Sequence, residues 1–285
     1  MNSVDQPSDQ IKLGDASGDN HSILLTVEGL TKRYDRTLAV NGLSFSIRSG
    51  EIYGLLGPNG AGKTTTIKSL LGMLEIDGGR ISLLGKNPMK QAKEVKALIG
   101  YVAEEPLLYD SMTPRELFDF IASVRQLDPT ETRSRIRNLL TSLDATKYYD
   151  DLIGTLSKGN KQKMQIVAAL MSDPELLILD EPLTGLDAKS RRIVRNILEL
   201  HTKSGKSVML STHAMEDAQG LCDRIGIINQ GQLIAEGTLD ELNRIGGSSE
   251  LSLEQVFLKL TNQEQSVEDA TAMISTDYEK ENLEE

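Results

Sequence analysis

The segment Gly57-Pro-Asn-Gly-Ala-Gly62-Lys63-Thr64 decides the fold of this 285-residue chain. It fits the pattern G-x-x-x-x-G-K-[ST] and follows the apolar run 51–56, which predicts a strand, while the residues after it have the apolar spacing of a helix. A strand, a glycine-rich loop and a helix in this order form a phosphate-binding loop, because backbone N–H groups and the helix N-terminus hold the anion. We therefore expect Lys63 to reach the β- and γ-phosphates of a nucleotide, Thr64 to ligate Mg²⁺ and Thr65 to contact a further phosphate oxygen.

A second polar site follows the apolar run Leu176-Leu-Ile-Leu, which is too continuously apolar for a strand with one solvent face. Asp180 and Glu181 come directly after that run, and a carboxylate at the end of a buried strand is costly unless it has a partner. Beside a phosphate loop that partner is Mg²⁺, held by Asp180, with Glu181 as the general base that polarises the attacking water. For Glu181 a role as a helix cap or a surface acid stays open. The two motifs together predict a P-loop nucleotidase.

Alternating strands and helices around these motifs predict an α/β fold with a mostly parallel sheet. Short strands are expected at 23–27, 43–47, 80–84 and 207–211, and a hairpin joins 224–228 to 232–236 through Asn-Gln-Gly. Between the flanks lies an all-helical insert, residues 110–170. Its helices start at Thr113-Pro-Arg-Glu and Asp128-Pro-Thr-Glu, and the second places Ile136, Leu139, Leu140 and Leu143 on one face.

Three further segments narrow the class. Leu156-Ser-Lys-Gly-Asn-Lys-Gln162 precedes the Leu-rich strand, Glu181-Pro-Leu-Thr-Gly-Leu-Asp187 follows it, and His213 stands after the next strand. Together with the phosphate loop they resemble the ATP-binding cassette (ABC) ATPases, and their order and spacing match along residues 23–261. The resemblance implies a P-loop core with N-terminal antiparallel strands and a helical subdomain at about 104–170, within a domain spanning 22–261.

The resemblance also implies roles for individual residues. In that family two subunits dimerise head to tail around two ATP molecules, so Ser157, Lys158, Gly159 and Asn160 form the signature that contacts the partner's nucleotide. His213 resembles the switch histidine that contacts the γ-phosphate and the attacking water. Asp187 corresponds to the loop that communicates across the dimer. The catalytic residues are then Glu181, His213 and Lys63. Those expected to bind ATP are Tyr34, Val40, Gly57, Pro58, Asn59, Gly60, Ala61, Gly62, Lys63, Thr64, Thr65, Glu104 and Asp180.

The sequence leaves an alternative open for Tyr34 and departs from the family pattern at Glu104. Tyr34 resembles the aromatic residue that stacks on adenine, with an ordinary surface tyrosine as the alternative, and Val40 is expected near the sugar. Glu104 stands where the family usually carries glutamine. Its carboxylate can still approach Mg²⁺, so Thr64, Glu104 and Asp180 are the expected metal ligands. The engagement of the loop that carries Glu104 is therefore expected to depend more strongly on Mg²⁺ than with glutamine.

The resemblance implies an ATP-hydrolysing subunit that drives a separate membrane permease, in the bacterial exporter branch. The permease is expected to dock near residues 104–125, and a second ATPase subunit, identical or related, completes the dimer. The expected location is cytoplasmic, on the inner face of the cell membrane, and the lone Cys222 fits a reducing compartment. The alternative is a soluble ABC ATPase without a permease. The sequence does not reveal the cargo.

The formal net charge of −11 argues against a broad nucleic-acid-binding surface, so no nucleic-acid partner is expected. Most of this charge lies at the ends of the chain. Residues 1–21 hold four acids and one base, and residues 262–285 hold eight acids and one base, which leaves about −1 for the domain between them. The charge therefore does not argue against phosphate binding, and both acidic ends are expected to be disordered.

Overall fold

The computed structural model describes residues 22–247 and 251–261. The expected disorder of the acidic ends falls on residues outside these ranges. The strands are β1 Ile23–Tyr34, β2 Thr37–Arg48, β3 Ile52–Leu56, β4 Gly78–Leu83, β5 Ile99–Val102, β6 Leu176–Asp180, β7 Ser207–Thr212, β8 Arg224–Asn229 and β9 Gln232–Gly237. The α-helices are α1 Lys63–Leu70, α2 Ala92–Leu98, α3 Pro114–Arg125, α4 Pro129–Ser142, α5 Lys158–Leu170, α6 Ala188–Lys203, α7 Met215–Leu221, α8 Leu239–Ile245 and α9 Leu253–Leu260.

Within the described residues, six strands form one sheet in the order β5-β6-β7-β3-β8-β9. Neighbouring strands are parallel except for β8 and β9, which form the expected antiparallel hairpin. Every residue of β3, β6 and β7 is buried, as the continuous apolar run 176–179 predicts for a strand covered on both faces. The α/β P-loop fold is thereby confirmed.

The register of this sheet brings three chain segments to one edge. Leu56 pairs with Thr212, and Asp180 pairs with Ser211, so β3, β6 and β7 end at the same level. The loop after each strand therefore opens on the same side of the sheet, which is where parallel α/β sheets place their ligands.

A second, antiparallel sheet has the order β2-β1-β4. The strands expected at 23–27 and 43–47 each extend to 12 residues, because pairing continues through polar positions to the tight connection at Asp35 and Arg36. The last pair of this hairpin, Tyr34 with Thr37, sets Tyr34 at the strand end.

The helical insert lies between β5 and β6 and contains α3, α4, α5 and two short 3₁₀ turns. Thr113 forms a capping box with Glu116, and Asp128 caps α4, so both predicted helix starts are confirmed. On α4, Ile136 and Leu140 are buried, while Leu139 is only partly covered. Each fully buried large apolar side chain contributes about 1.5–3 kcal/mol by leaving water, which fixes the insert against the core.

Candidate active site

The phosphate loop runs from the end of β3 to the start of α1. Gly60 and Gly62 have φ of 81° and 107°, a region that glycine reaches without strain. A Cβ on Gly62 would lie 2.6 Å from the carbonyl oxygen of Ala39, so this position also admits no side chain. The loop and the N-terminus of α1 border a cavity of about 260 Å³. Its lining comprises Ala39, Pro58, Asn59, Gly60, Gly62, Lys63, Thr64, Thr65, Glu104, Asp180 and Glu181.

Lys63 is buried, and its ammonium lies against the loop backbone. Nζ donates to the carbonyl oxygen of Gly57 at 2.6 Å and to that of Pro58 at 3.3 Å. Burial lowers the pKa of Lys63, and the charges of Glu181, Asp180 and Glu104 oppose that effect. The cavity thus contains a desolvated cation beside its backbone amides, an arrangement suited to a phosphate.

Asp180 is 2% exposed at the end of β6. Among the described residues its carboxylate is paired only with hydroxyls: Thr64 Oγ1 donates to Oδ2 at 3.1 Å and Ser211 Oγ to Oδ1 at 2.5 Å. A buried carboxylate beside a hydroxyl and a phosphate site is the oxygen donor set that suits Mg²⁺, which uses one or two carboxylates and keeps its remaining positions for water and phosphate. The residues present therefore fit the metal.

Glu181 lines the cavity and contacts His213. Oε1 of Glu181 accepts from the backbone N–H of His213 at 2.8 Å and lies 2.6 Å from its ring Nδ1, while Thr212 Oγ1 donates to Oε2 at 3.1 Å. Glu181 has φ of +49°, a left-handed conformation that costs a non-glycine residue about 1 kcal/mol or more. This strained residue lines the cavity and at the same time contacts His213.

Ser211 and Thr212 are site residues that the sequence reasoning missed. Their hydroxyls orient the carboxylates of Asp180 and Glu181, respectively. The available signal was their place directly before His213, at the end of a strand that pairs with β6.

The signature segment begins α5. Ser157 caps the helix, and its hydroxyl accepts from the N–H of Asn160. Residues 157–160 do not line the cavity of their own chain. Gly159 lies against the loop that follows β6, since a Cβ on it would be 2.7 Å from the carbonyl oxygen of Gly185.

Two lysines in the first turns of α5 form ion pairs with acidic residues of the segment 105–110. Lys158 Nζ lies 2.8 Å from Glu105 Oε1, and Lys161 Nζ lies 2.8 Å from Asp110 Oδ1. These pairs join the signature to the 105–110 segment, which enters the helical insert.

Tyr34 and Val40 lie outside the cavity lining. Tyr34 is 44% exposed, and the ammonium of Lys32 lies over its ring, 5.7 Å from the centroid. Val40, expected near the sugar, is fully buried in the core, and Ala39 lines the cavity in its place. The reason is a bulge in β2: Val40 pairs with Lys32 and Leu38 with Arg33, so Ala39 is the extra residue.

A second concave surface, the groove, lies between α3, α5 and residues 101–109, with a volume of about 280 Å³. Leu107, Tyr109 and Phe120 line it, and each is at least 47% exposed. The rings of Tyr109 and Phe120 meet edge to face at 6.5 Å. Gln165 fixes the backbone on one side of the groove: its Nε2 donates to the carbonyl of Ala103, and its Oε1 accepts from the N–H of Leu107.

Residues 40–184 match the family described as ABC transporter. The chain belongs to the ABC transporter family. It is 40% identical over 231 residues to the linearmycin resistance ATP-binding protein of Bacillus subtilis, covering 81% of this chain and 74% of that protein. It is 41% identical over 206 residues to a Nod factor export ATP-binding protein of Burkholderia orbicola, covering 72% of this chain and 68% of that protein.

Solved structures agree with this assignment. An ATP-binding subunit of an ABC transporter matches with a TM-score of 0.81 and 32% identity, over 84% of this chain and 99% of that one. A subunit of the cbiONQ complex from Clostridium perfringens matches with a TM-score of 0.68 and 27% identity, over 88% and 99%. The ABC ATPase is therefore an ATP-binding and ATP-hydrolysing subunit of a family whose ATPases dimerise and pair with membrane permeases. Among the described residues, no helix has the length and apolar character needed to cross a membrane.

Proposed function

We propose that this ABC ATPase powers export through a membrane permease encoded as a separate chain. The observation that carries the proposal is the groove, an exposed apolar concavity beside the ATP-binding cavity. Leu107 is 79% exposed and Tyr109 is 61% exposed, and large apolar side chains clustered in this way on a surface mark a binding site for another protein. The names of the two bacterial relatives, export and resistance proteins, favour the export direction.

The chemistry proposed for the cavity follows from its residues. Lys63 and the N-terminus of α1 bind the β- and γ-phosphates, and Tyr34 stacks on the adenine. Thr64, Asp180 and Glu104 would hold Mg²⁺, which when bound would neutralise phosphate charge. Glu181 accepts the proton of the attacking water, and His213 fixes the orientation of that carboxylate through its two contacts with Oε1.

The second ATPase subunit completes the site in this proposal. Ser157, Lys158, Gly159 and Asn160 contact the partner's nucleotide, since the backbone N–H groups and the dipole at the start of a helix attract a phosphate. Asp187 carries the contact between the two subunits. The subunit then works at the inner face of the cell membrane, bound there through the permease.

The test is affinity capture from detergent-solubilised membranes, with two matched variants of α3. Phe120 lines the groove, whereas Val124 lies on the same helix outside the groove lining and is 67% exposed. We expect the wild-type chain and Val124→Glu to copurify with a membrane protein of several apolar spans. Phe120→Glu should lose that protein while binding ATP normally.

Two outcomes would contradict the proposal. One is capture of the membrane protein by Phe120→Glu as efficiently as by the wild type, which would place docking elsewhere. The other is a wild-type chain that captures soluble partners and no membrane protein, which would support the alternative of a soluble ABC ATPase without a permease.

A further inference from the structure

Asp217, on α7, is held by two arginines of α6. Nη2 of Arg191 lies 3.0 Å from each carboxylate oxygen of Asp217, and Nη2 of Arg195 lies 2.6 Å from Oδ1. Asp217 is 5% exposed, so water screens these charge-assisted contacts much less than it screens a surface ion pair. We call this set of three residues the arginine clamp. It fixes α7 relative to α6.

The position of α7 determines the position of His213. Only Ala214 separates the two, and Ala214 caps α7 without a side-chain hydrogen bond. The backbone N–H of Ala214 donates to Thr212 Oγ1 at 3.0 Å, which is the hydroxyl that also donates to Glu181. Because the connection is this short, a displacement of α7 moves His213 away from Glu181.

The arginine clamp is connected to the signature helix α5 through the loop 182–187. Gln162 of α5 donates to the carbonyl of Pro182 at 3.1 Å, and Lys163 Nζ lies 3.9 Å from the carboxylate of Asp187. Asp187 caps α6, and its carbonyl accepts from the N–H of Arg191 at 2.9 Å. The first turn of α6 therefore joins the loop 182–187 directly to the clamp.

We propose that Asp217, with Arg191 and Arg195, is a positioning residue for His213, and that α6 thereby links the signature helix of a chain to the hydrolytic pair of the same chain. The inference rests on the proposed roles of Glu181 and His213. Asp217 does not line the cavity and touches no reacting group. Its effect on hydrolysis passes through His213 alone.

The experiment is a double-mutant cycle on the full chain. Asp217→Asn keeps the side-chain volume and removes the charge, so we expect kcat to fall about tenfold, with the KM for ATP changed by less than about twofold. In a His213→Ala background the same substitution should lower kcat by less than about twofold, because the residue through which it acts is gone. Lys189→Gln, on the exposed side of α6, is the control and should leave kcat unchanged.

Folding is checked by thermal unfolding, and Arg195→Gln, which leaves Arg191 paired, replaces Asp217→Asn if that variant does not fold. The inference would be overturned if Asp217→Asn lowered kcat by the same factor in the wild-type and His213→Ala backgrounds. It would also be overturned if a folded Asp217→Asn kept a kcat within about twofold of the wild type. Failure of the proposed function is distinguishable, because His213→Ala itself would then retain full turnover.

Discussion

Replacing Glu181 with glutamine removes the proposed base and leaves the shape of the site almost unchanged. The glutamate carboxylate accepts from the backbone N–H and ring Nδ1 of His213 and from the hydroxyl of Thr212. In the variant the amide oxygen can keep both contacts with His213, while the amide nitrogen replaces the oxygen that accepts from Thr212. The Thr212 hydroxyl then loses its acceptor and can only accept from the new N–H, a rearrangement that costs about 1 kcal/mol of folding free energy.

The two expected effects of Glu181→Gln differ enough to be separated. A stability loss of about 1 kcal/mol lowers the melting temperature of a chain of this size by only about 2–4 °C. Loss of a positioned general base lowers turnover about 10²–10⁴-fold, which is about 3–5 kcal/mol on the activation barrier. ATP binding should persist, because Lys63 and the phosphate loop are untouched.

The assay compares steady-state ATP hydrolysis with ATP affinity measured by fluorescence titration, and gel filtration with ATP and Mg²⁺ reports dimer formation. We expect the variant to bind ATP, to accumulate as an ATP-bound dimer and to turn over at no more than about 1% of the wild-type rate. Turnover above about a tenth of the wild-type rate, in a variant that melts normally, would refute the assignment of Glu181 as the base.

Three further predictions concern other parts of the domain. Glu104→Gln should reduce the dependence of ATP turnover on Mg²⁺ concentration, and an unchanged Mg²⁺ titration would contradict the proposed metal contact. Gly159→Ala should lower the melting temperature, because its Cβ would lie 2.7 Å from a backbone oxygen of Gly185, and calorimetry on the isolated subunit checks this. Burial lowers the pKa of His201 to about 4. Below pH 6.5 the unfolded chain therefore binds a proton that the folded chain does not, and stability falls until about pH 4, by at most about 3 kcal/mol. Urea unfolding at pH 7.5 and 5 should show a smaller pH effect in His201→Gln than in the wild type.

The sequence predicts those parts of the fold whose signals are local. The phosphate loop, the caps at Thr113 and Asp128 and the buried run 176–180 each carry their information within a few residues, and the structure contains each of them. The short elements β5, α2, α7 and α8 escape prediction. β5 has four residues and α7 has seven with an alanine cap, so tertiary contacts rather than local pattern specify them.

Contacts between distant residues account for what the sequence could not reveal about the site. Ala39 rather than Val40 lines the cavity because of the bulge in β2. A bulge changes which side chain faces the cavity, and the residue pattern alone does not reveal it. Asp217 and its arginines are separated by 22 and 26 residues, and no spacing rule connects helices at that distance. By contrast, Asp180 and His213 have local signals, since Asp180 ends a buried apolar run and His213 directly follows the strand β7.

The left-handed backbone of Glu181 has a consequence for engineering this protein. Glycine at this position would relieve the conformational strain, and it would also remove the acceptor of His213 and Thr212, so a gain in backbone energy is set against the loss of hydrogen bonds. Whichever effect is larger, the variant has no base at this position, and a screen for heat resistance does not detect that loss. A stabilisation programme should therefore hold position 181 fixed and seek its gains elsewhere in the chain.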